Sequence, residues 1–258
     1  MKSTCTLALL AATGALLLTN APLHATEMDD RIESSAAKSY VFKTYLKDDA
    51  IKTVSRDGVV TLTGTVAWAS HKSLAEDTVI SLPGVKRVNN KLKVKGESPP
   101  ELSDGWLSTK VKTTLLFHRN VSATATGVDV KDGIVTLSGK AASVAQKELT
   151  TEYARDIEGV KEVKNEMSIS TTPVKRDPTI GEVIDDASIT AQVKLTLLSH
   201  RSTSAIKTTV KTRDGVVTLS GIATNDAERN LVTKLVADIN GVNRVINRMT
   251  LAVPVAAN

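Results

Sequence analysis

The stretch Asp57-Gly58-Val59-Val60-Thr61-Leu62-Thr63-Gly64 occurs three times, with small changes, in this chain of 258 residues. The other copies begin at Asp132 and Asp214 and read DGIVTLSG and DGVVTLSG. A Gly-Val pair follows each copy at a constant distance: 26 residues separate positions 58 and 84, 133 and 159, and 215 and 241. Equal spacing of two landmarks in three places indicates three repeats of one structural unit.

Each repeat is predicted to fold in the order α-β-β-α-β. Leu107, Val111 and Leu115 recur every fourth position, which indicates first helices over roughly 30–47, 104–118 and 186–200. The Asp-Gly pair is a common turn between antiparallel strands. A second apolar stripe predicts helices over about 69–82, 143–157 and 225–239, and an alternating strand closes each repeat.

The predicted fold class is α+β, with units at 28–96, 102–170 and 184–252. Each unit is expected to be a three-stranded mixed sheet covered by two helices. When Leu46 is aligned with Leu116, the first unit is expected to lack a five-residue loop segment. Units this small are near the lower limit for one core, so packing between units is expected. Matched glycines are predicted to form turns and caps: Gly58, Gly64, Gly84, Gly133, Gly139, Gly159, Gly215, Gly221 and Gly241.

Residues 1–25 are predicted to form a signal peptide that is cleaved after Ala25. Lys2 precedes an apolar run that ends before Pro22, and a bilayer-spanning helix needs about 20 apolar residues. The one cysteine, Cys5, lies in this leader, so the mature chain would contain none, which suits an oxidising compartment. The sequence therefore predicts a protein secreted through the inner membrane.

The three DGxVTLxG stretches, each followed by a helix and text such as Gly84-Val85-Lys86-Arg87-Val88-Asn89-Asn90-Lys91-Leu92, resemble the BON domain. A leader with tandem copies is similar to the osmotically inducible periplasmic protein Y family, whose better-known members carry two such domains. The resemblance implies a non-enzymatic envelope protein of the osmotic or envelope stress response that attaches to anionic phospholipid surfaces. It also implies an alternative, a periplasmic chaperone that holds unfolded or outer-membrane clients.

The residues argue against catalysis, cofactors and nucleic acid. Aromatic residues make up 3% of the chain, the net charge is a modest +5, and one cysteine cannot build a thiolate metal site. Neither a nucleophile elbow nor a phosphate-binding loop is present in the sequence. We therefore predict no catalytic residue, no metal ligand and no cofactor. His118 and His200, each followed by an arginine, are expected to end helices, where cations oppose the negative end of the dipole.

Two segments are predicted to contact a membrane or an envelope partner. In the second unit, Trp106, Leu107 and Phe117 would offer apolar surface beside Lys110 and Arg119. In the first unit, a basic strand would attract anionic lipid through Lys86, Arg87, Lys91 and Lys93. Two alternatives stay open: the aromatic side chains pack in a core, and the cations form a solvated strand face.

The charge is shared unevenly along the mature chain. Net charges of +2, −1 and +3 fall on residues 27–97, 98–170 and 171–258, which indicates that the units are not interchangeable. The sequence leaves open the lipid or client, the arrangement of the three units and the oligomeric state.

Overall fold

The computed structural model describes residues 23–96, 100, 102–170, 183–203 and 208–252. The predicted signal peptide lies outside these residues, apart from positions 23–25, which belong to the first turn of a helix. Within the described ranges, none of the helices combines the length and the apolar character needed to cross a membrane.

Unit 1 begins with two helices where the sequence predicts one. Its elements are α1 (Leu23–Lys38), α2 (Tyr40–Thr44), β1 (Ala50–Arg56), β2 (Val59–Val66), α3 (Ala69–Ile80), β3 (Arg87–Asn90) and β4 (Lys93–Val94). Ser39 separates the first two because its backbone is extended (ψ 149°) and its Oγ accepts a hydrogen bond from the backbone N–H of Phe42. A serine in this position caps a new helix.

Units 2 and 3 repeat this plan with one unbroken first helix each. Unit 2 contains α4 (Asp104–Phe117), a 3₁₀ turn (Ala123–Ala125), β5 (Thr126–Lys131), β6 (Ile134–Ala141), α5 (Val144–Arg155), β7 (Glu162–Asn165) and β8 (Ser168–Ile169). Unit 3 contains α6 (Asp186–Ser199), β9 (Thr208–Arg213), β10 (Val216–Ala223), α7 (Asp226–Ala237), β11 (Arg244–Asn247) and β12 (Thr250–Leu251).

Each sheet has three strand positions and mixed pairing, as predicted. In unit 1, β2 is central, β1 pairs with it antiparallel, and β3 and β4 both pair with it parallel. The last strand is interrupted because Asn90 turns its side chain to the backbone: its Oδ1 accepts from Leu92 N at 3.1 Å and its Nδ2 donates to Lys72 O at 3.0 Å. Asn165 and Asn247 make the same bonds in units 2 and 3.

The prediction that unit 1 lacks a five-residue loop is wrong. Asp29, Asp104 and Asp186 each accept hydrogen bonds from the two N–H groups of an Asp-Gly turn that lies 28 and 29 residues further along the chain. The constant separation aligns Leu116 with Val41, so Leu46 is not its counterpart. All three units therefore have the same length from the first helix to the hairpin.

The predicted turn and cap glycines all have positive φ, between 71° and 129°. Gly64 shows why this position tolerates no side chain: its φ is +119°, and a Cβ there would lie 1.8 Å from the carbonyl oxygen of Ala50 on the neighbouring strand. Only glycine adopts such a conformation without strain.

The units pack together around helix α6. Eleven of its 14 side chains are buried, including polar ones. One apolar cluster joins the cores of units 1 and 3, and a second covers unit 2 together with Leu235 of α7. Unit 1 is also held by hydrogen bonds, from Tyr40 N to Asp185 Oδ2 (2.7 Å) and from Val41 N to Ser188 Oγ (3.0 Å). The expected packing between units is thus present, with α6 at its centre.

Candidate functional site

Most of the predicted contact segment of unit 2 lies in the interior. Leu107 and Phe117 are 1% exposed, so neither presents apolar surface to a membrane in the folded chain, and the prediction is wrong for both. Arg119 points to unit 3, where its Nη2 donates to the carbonyl oxygens of Ile239 (2.5 Å) and Val242 (2.6 Å). The guanidinium group of Arg119 therefore forms a contact between units 2 and 3.

Trp106 and Lys110 remain partly accessible on α4. The Nζ of Lys110 lies 4.3 Å from the centroid of the Trp106 ring and 3.7 Å from Oε2 of Glu158. The ring also packs against the core of unit 2. Because the ammonium group already has an aromatic and an acidic neighbour, this pair is a weak candidate for lipid contact.

The basic strand of unit 1 belongs to a larger cationic surface. Val60 and Leu62 of β2 are buried under the helices, so Val59, Thr61 and Thr63 point to the opposite side of the sheet. The strand register aligns cations from both neighbouring strands with these outward positions: Arg56 and Arg87 oppose Val59, Lys52 opposes Thr63, and Lys93 opposes Thr65. We name Lys52, Arg56, Arg87 and Lys93 the basic face.

The cations of the basic face are all exposed. No ion pair among the described residues involves them. The other outward residues on the flanking strands are Ala50, Val54 and Asn89, so the register aligns no carboxylate with this face. Lys86 and Lys91 are exposed as well, but they lie outside the paired register, one before β3 and one in the strand interruption.

The same sheet face differs in charge between units. In unit 3, Arg213 and Arg244 oppose Val216, and Lys211 opposes Thr218. In unit 2 the corresponding positions alternate in sign: Ile134 lies between Lys131 and Glu162, and Thr136 between Asp129 and Lys164. Opposite charges at this spacing largely cancel. The sheets of units 1 and 3 therefore present one sign of charge, and that of unit 2 does not.

Units 2 and 3 are joined by two sets of equivalent contacts, which we call the 2–3 joint. After α4, Arg119 N donates to Asp238 O (2.9 Å), and Phe117 O accepts from Asn240 N (2.9 Å). After α6, Arg201 N donates in the same way to Asp156 O (2.8 Å). Each unit thus offers a His-Arg segment to the Asp-Ile segment that follows the second helix of the other.

His118 and His200 end their helices, as predicted, but the arginines bond to the other unit, and burial lowers the pKa of His118, which disfavours its charged form. Arg201 donates to Val160 O at 2.9 Å, just as Arg119 donates to carbonyl groups beyond α7. Carbonyl groups at a helix end carry partial negative charge, which a guanidinium group stabilises. An arginine after a helix indicates contact with carbonyl groups at a helix end. The local sequence does not show that these carbonyl groups belong to the other unit.

Two buried histidines meet in the centre of the 2–3 joint. His118 Nδ1 lies 3.2 Å from Oδ2 of Asp238, and His200 Nδ1 lies 2.9 Å from Oδ2 of Asp156. The Tyr153 hydroxyl donates to the same Asp238 oxygen at 2.6 Å, and its ring stacks on His118 with centroids 3.8 Å apart. Both imidazole side chains are 0% exposed.

Burial and hydrogen bonding shift the pKa values of three groups in the joint. Burial lowers the pKa of His118 despite the hydrogen bond and charge of Asp238. Burial also raises the pKa of the Tyr153 hydroxyl, and Asp238 adds to this. For Asp156, burial opposes ionisation, but bonds from His200 and Ser202 and the charge of Arg201 hold its pKa below the usual value.

Unit 1 cannot form an equivalent joint. By the common alignment, Lys43 and Thr44 replace the His-Arg pair, and Ser81 replaces the aspartate. Its own histidine, His71, lies elsewhere, with Nδ1 2.6 Å from Oδ2 of Asp49. In the part of the chain that the structure describes, no three metal-ligating side chains cluster.

The model of the BON domain family matches residues 28–96, 103–171 and 185–253, and the chain belongs to this family. It is 31% identical over 149 residues to the osmotically-inducible protein Y of Escherichia coli, covering 57% of this chain and 71% of that protein. It is 32% identical over 143 residues to a 21 kDa hemolysin of Actinobacillus pleuropneumoniae, covering 54% and 73% of the two chains.

A further relative is the outer membrane lipoprotein DolP of Haemophilus influenzae. It is 30% identical over 159 residues, which are 59% of this chain and 80% of that protein. The family that the repeated stretches indicate is therefore confirmed, and this chain carries three matches to its domain.

Proposed function

We propose that this protein is a non-catalytic, periplasmic BON-domain protein of the osmotic or envelope stress response that binds anionic phospholipid surfaces through the basic face. The observation that carries the proposal is the alignment of four exposed cations, without a carboxylate, on the open side of the sheet of unit 1. Similarity to an osmotically-inducible protein and to an outer membrane lipoprotein supports the envelope setting.

The basic face suits a layer of lipid headgroups. Neighbouring strands lie about 4.8 Å apart, so its cations span about 10 Å across three strands. Threonine hydroxyls on the central strand lie between them and can donate hydrogen bonds to phosphate oxygens. A lysine or arginine close to an anionic membrane contributes about 1 kcal/mol, so four together support reversible attachment.

Unit 3 offers a second surface of the same kind through Lys211, Arg213 and Arg244. The exposed Ile222 lies on its central strand and pairs with Thr250. Cations beside an accessible apolar side chain are typical of peripheral membrane contacts. The mixed charges of unit 2 make its sheet the natural internal control.

The alternative, a periplasmic chaperone for unfolded or outer-membrane clients, would present apolar helix faces. Among the described residues, most apolar side chains of α3, α4 and α6 instead lie in the two cores, and Leu116 and Leu198 are the large exposed ones on these helices. We therefore favour the lipid surface. Suppressed aggregation of client proteins in the absence of lipid would favour the chaperone.

We expect the double variant Arg56→Gln/Arg87→Gln to lose about 30-fold in affinity for vesicles that contain phosphatidylglycerol, since two cations contribute about 2 kcal/mol. Sedimentation with vesicles at low salt measures this loss. Binding should also weaken in 0.5 M salt, where the Debye length falls below about 5 Å. Vesicles of phosphatidylcholine alone should not bind.

The matched control is Lys131→Gln/Lys164→Gln in unit 2, which removes two exposed cations from the same face of its sheet, at the counterparts of Arg56 and Asn89. Its affinity for the vesicles should stay close to that of the parent chain. Equal losses in both variants would show that total charge decides, and absence of binding to anionic vesicles would overturn the proposal.

A further inference from the structure

We propose that the 2–3 joint is a proton-operated hinge, closed at neutral pH and opened by mild acidification when the buried His118 takes up a proton. The inference is independent of lipid binding. It rests on how the two imidazole rings are held between the units.

Each ring uses only one of its two nitrogen atoms. The Nδ1 atoms face the carboxylates of Asp238 and Asp156, as expected for rings that carry their proton on Nδ1. Both Nε2 atoms are buried and have no hydrogen-bond partner among the described residues. Protonation would place a charged N–H donor on an atom with no acceptor, which strongly disfavours the closed joint.

The two rings also lie close to one another. Their centroids are 6.1 Å apart, and Tyr153 lies against both, at 3.8 Å from His118 and 6.2 Å from His200. A proton on His118 would therefore place a charge among buried rings, away from water, which makes the closed arrangement less favourable.

The charges around the rings are balanced only while the rings are neutral. Asp238 and Asp156 contribute two negative charges, and Arg119 and Arg201 contribute two positive ones. Further out, Glu158 lies beside Lys110 and Glu152 beside Arg155, so neither pair changes the balance. Tyr153 is neutral. A proton on His118 would leave a net charge of +1 in the joint.

The two aspartates of the joint already accept hydrogen bonds from other side chains and have little capacity to stabilise an added positive charge. Asp238 already accepts from Tyr153 and from Asn120, and Asp156 from Ser202. Opening the joint instead returns the rings to water, where each proton is hydrated.

The direction of the pH effect follows from the lowered pKa of His118 in the closed joint. The open form binds its proton with the ordinary pKa of about 6.5 and so binds more protons than the closed form. The stability of the closed joint is complete above that value and decreases as the pH falls below it. With one proton taken up, the open-to-closed ratio rises by up to about 10-fold for each pH unit.

Spin labels on one exposed residue of each unit test this proposal. Glu166→Cys and Arg248→Cys occupy equivalent places in units 2 and 3, and Cys5→Ser removes the natural thiol. Pulsed electron resonance should give one narrow distance at pH 7.5 and a broad, longer distribution at pH 5.5. An unchanged distribution at the two pH values would overturn the proposal.

His118→Asn/His200→Asn separates the histidines from other titrating groups, since asparagine keeps a donor near each aspartate but takes up no proton. This variant should stay closed at both pH values, and opening at pH 5.5 alone would overturn the proposal. If it is open at both, the single variants decide: His200→Asn should keep the change of about 10-fold per pH unit, and His118→Asn should lose it. A full pH response in His118→Asn would overturn the proposal.

The matched control is His71→Asn, which also removes a histidine paired through Nδ1 with an aspartate. His71 lies in unit 1, away from the joint, and its side chain is 18% exposed. The distance between the two labels should keep its full pH response in this variant. Loss of the response would assign the titration to unit 1 and overturn the proposal.

Discussion

The substitution Asp238→Ala should lower the free energy of unfolding of the chain by about 3–5 kcal/mol, because buried donors that lose their acceptor cost about 1–3 kcal/mol each. The Asp238 carboxylate accepts from the Tyr153 hydroxyl and faces Nδ1 of His118, and both partners are buried. Urea denaturation followed through the fluorescence of Trp106, in unit 2, would measure the loss.

The equivalent position in unit 1 supplies the control for this substitution. Ser81 donates only within its own helix, to Asp77 O at 2.7 Å. Ser81→Ala should therefore change the free energy of unfolding by about 1 kcal/mol or less. Similar effects of the two substitutions would mean that the 2–3 joint contributes little to stability.

The substitution Gly64→Ala should have an effect of similar size, localised in unit 1. A φ of +119° is strained for any residue with a side chain, and the added Cβ would meet the carbonyl oxygen of Ala50 in β1. The hairpin must then shift, and we expect a loss of more than about 3 kcal/mol. Fluorescence of Trp68, just beyond β2, in a Trp106→Phe background reports on this unit.

Comparison with Gly96→Ala separates the cost of backbone strain from the cost of the steric clash with Ala50. Gly96 also has positive φ (+70°), but an added Cβ there meets nothing within 4 Å. Its substitution should cost only the conformational strain, about 1–2 kcal/mol. If both alanine variants unfold at the same urea concentration, the close approach of Ala50 does not limit this position.

The order of elements could be predicted from sequence because three copies of one pattern constrain each other. The helices begin and end within a few residues of the predicted bounds, except in unit 1. In unit 1 the spacing of apolar residues continues past Ser39, so the sequence predicts one helix. The break between α1 and α2 depends on the side chain of Ser39, which caps the second helix. Leu46 lies after α2 and is not the counterpart of Leu116. Aligning these two leucines therefore predicted a five-residue loop deletion in unit 1 that does not exist.

The candidate surfaces were harder to predict because they depend on neighbours that are distant in sequence. Arg87 and Lys93 are close along the chain, but only the strand register adds Lys52 and Arg56 from β1. Phe117 was expected at a surface because its neighbours are not in its own unit. Its ring meets Tyr45 of unit 1 at 5.2 Å and lies in the cluster shared by units 1 and 3.

The central position of α6 has a consequence for biosynthesis. A ribosome makes units 1 and 2 first, yet both rest on this helix in the last third of the chain. Until α6 emerges, α3 and the end of α4 expose apolar side chains that it later covers. Without α6, the core that units 1 and 3 share is incomplete, and such partly folded chains are prone to aggregate. Completion of this core therefore requires the third repeat.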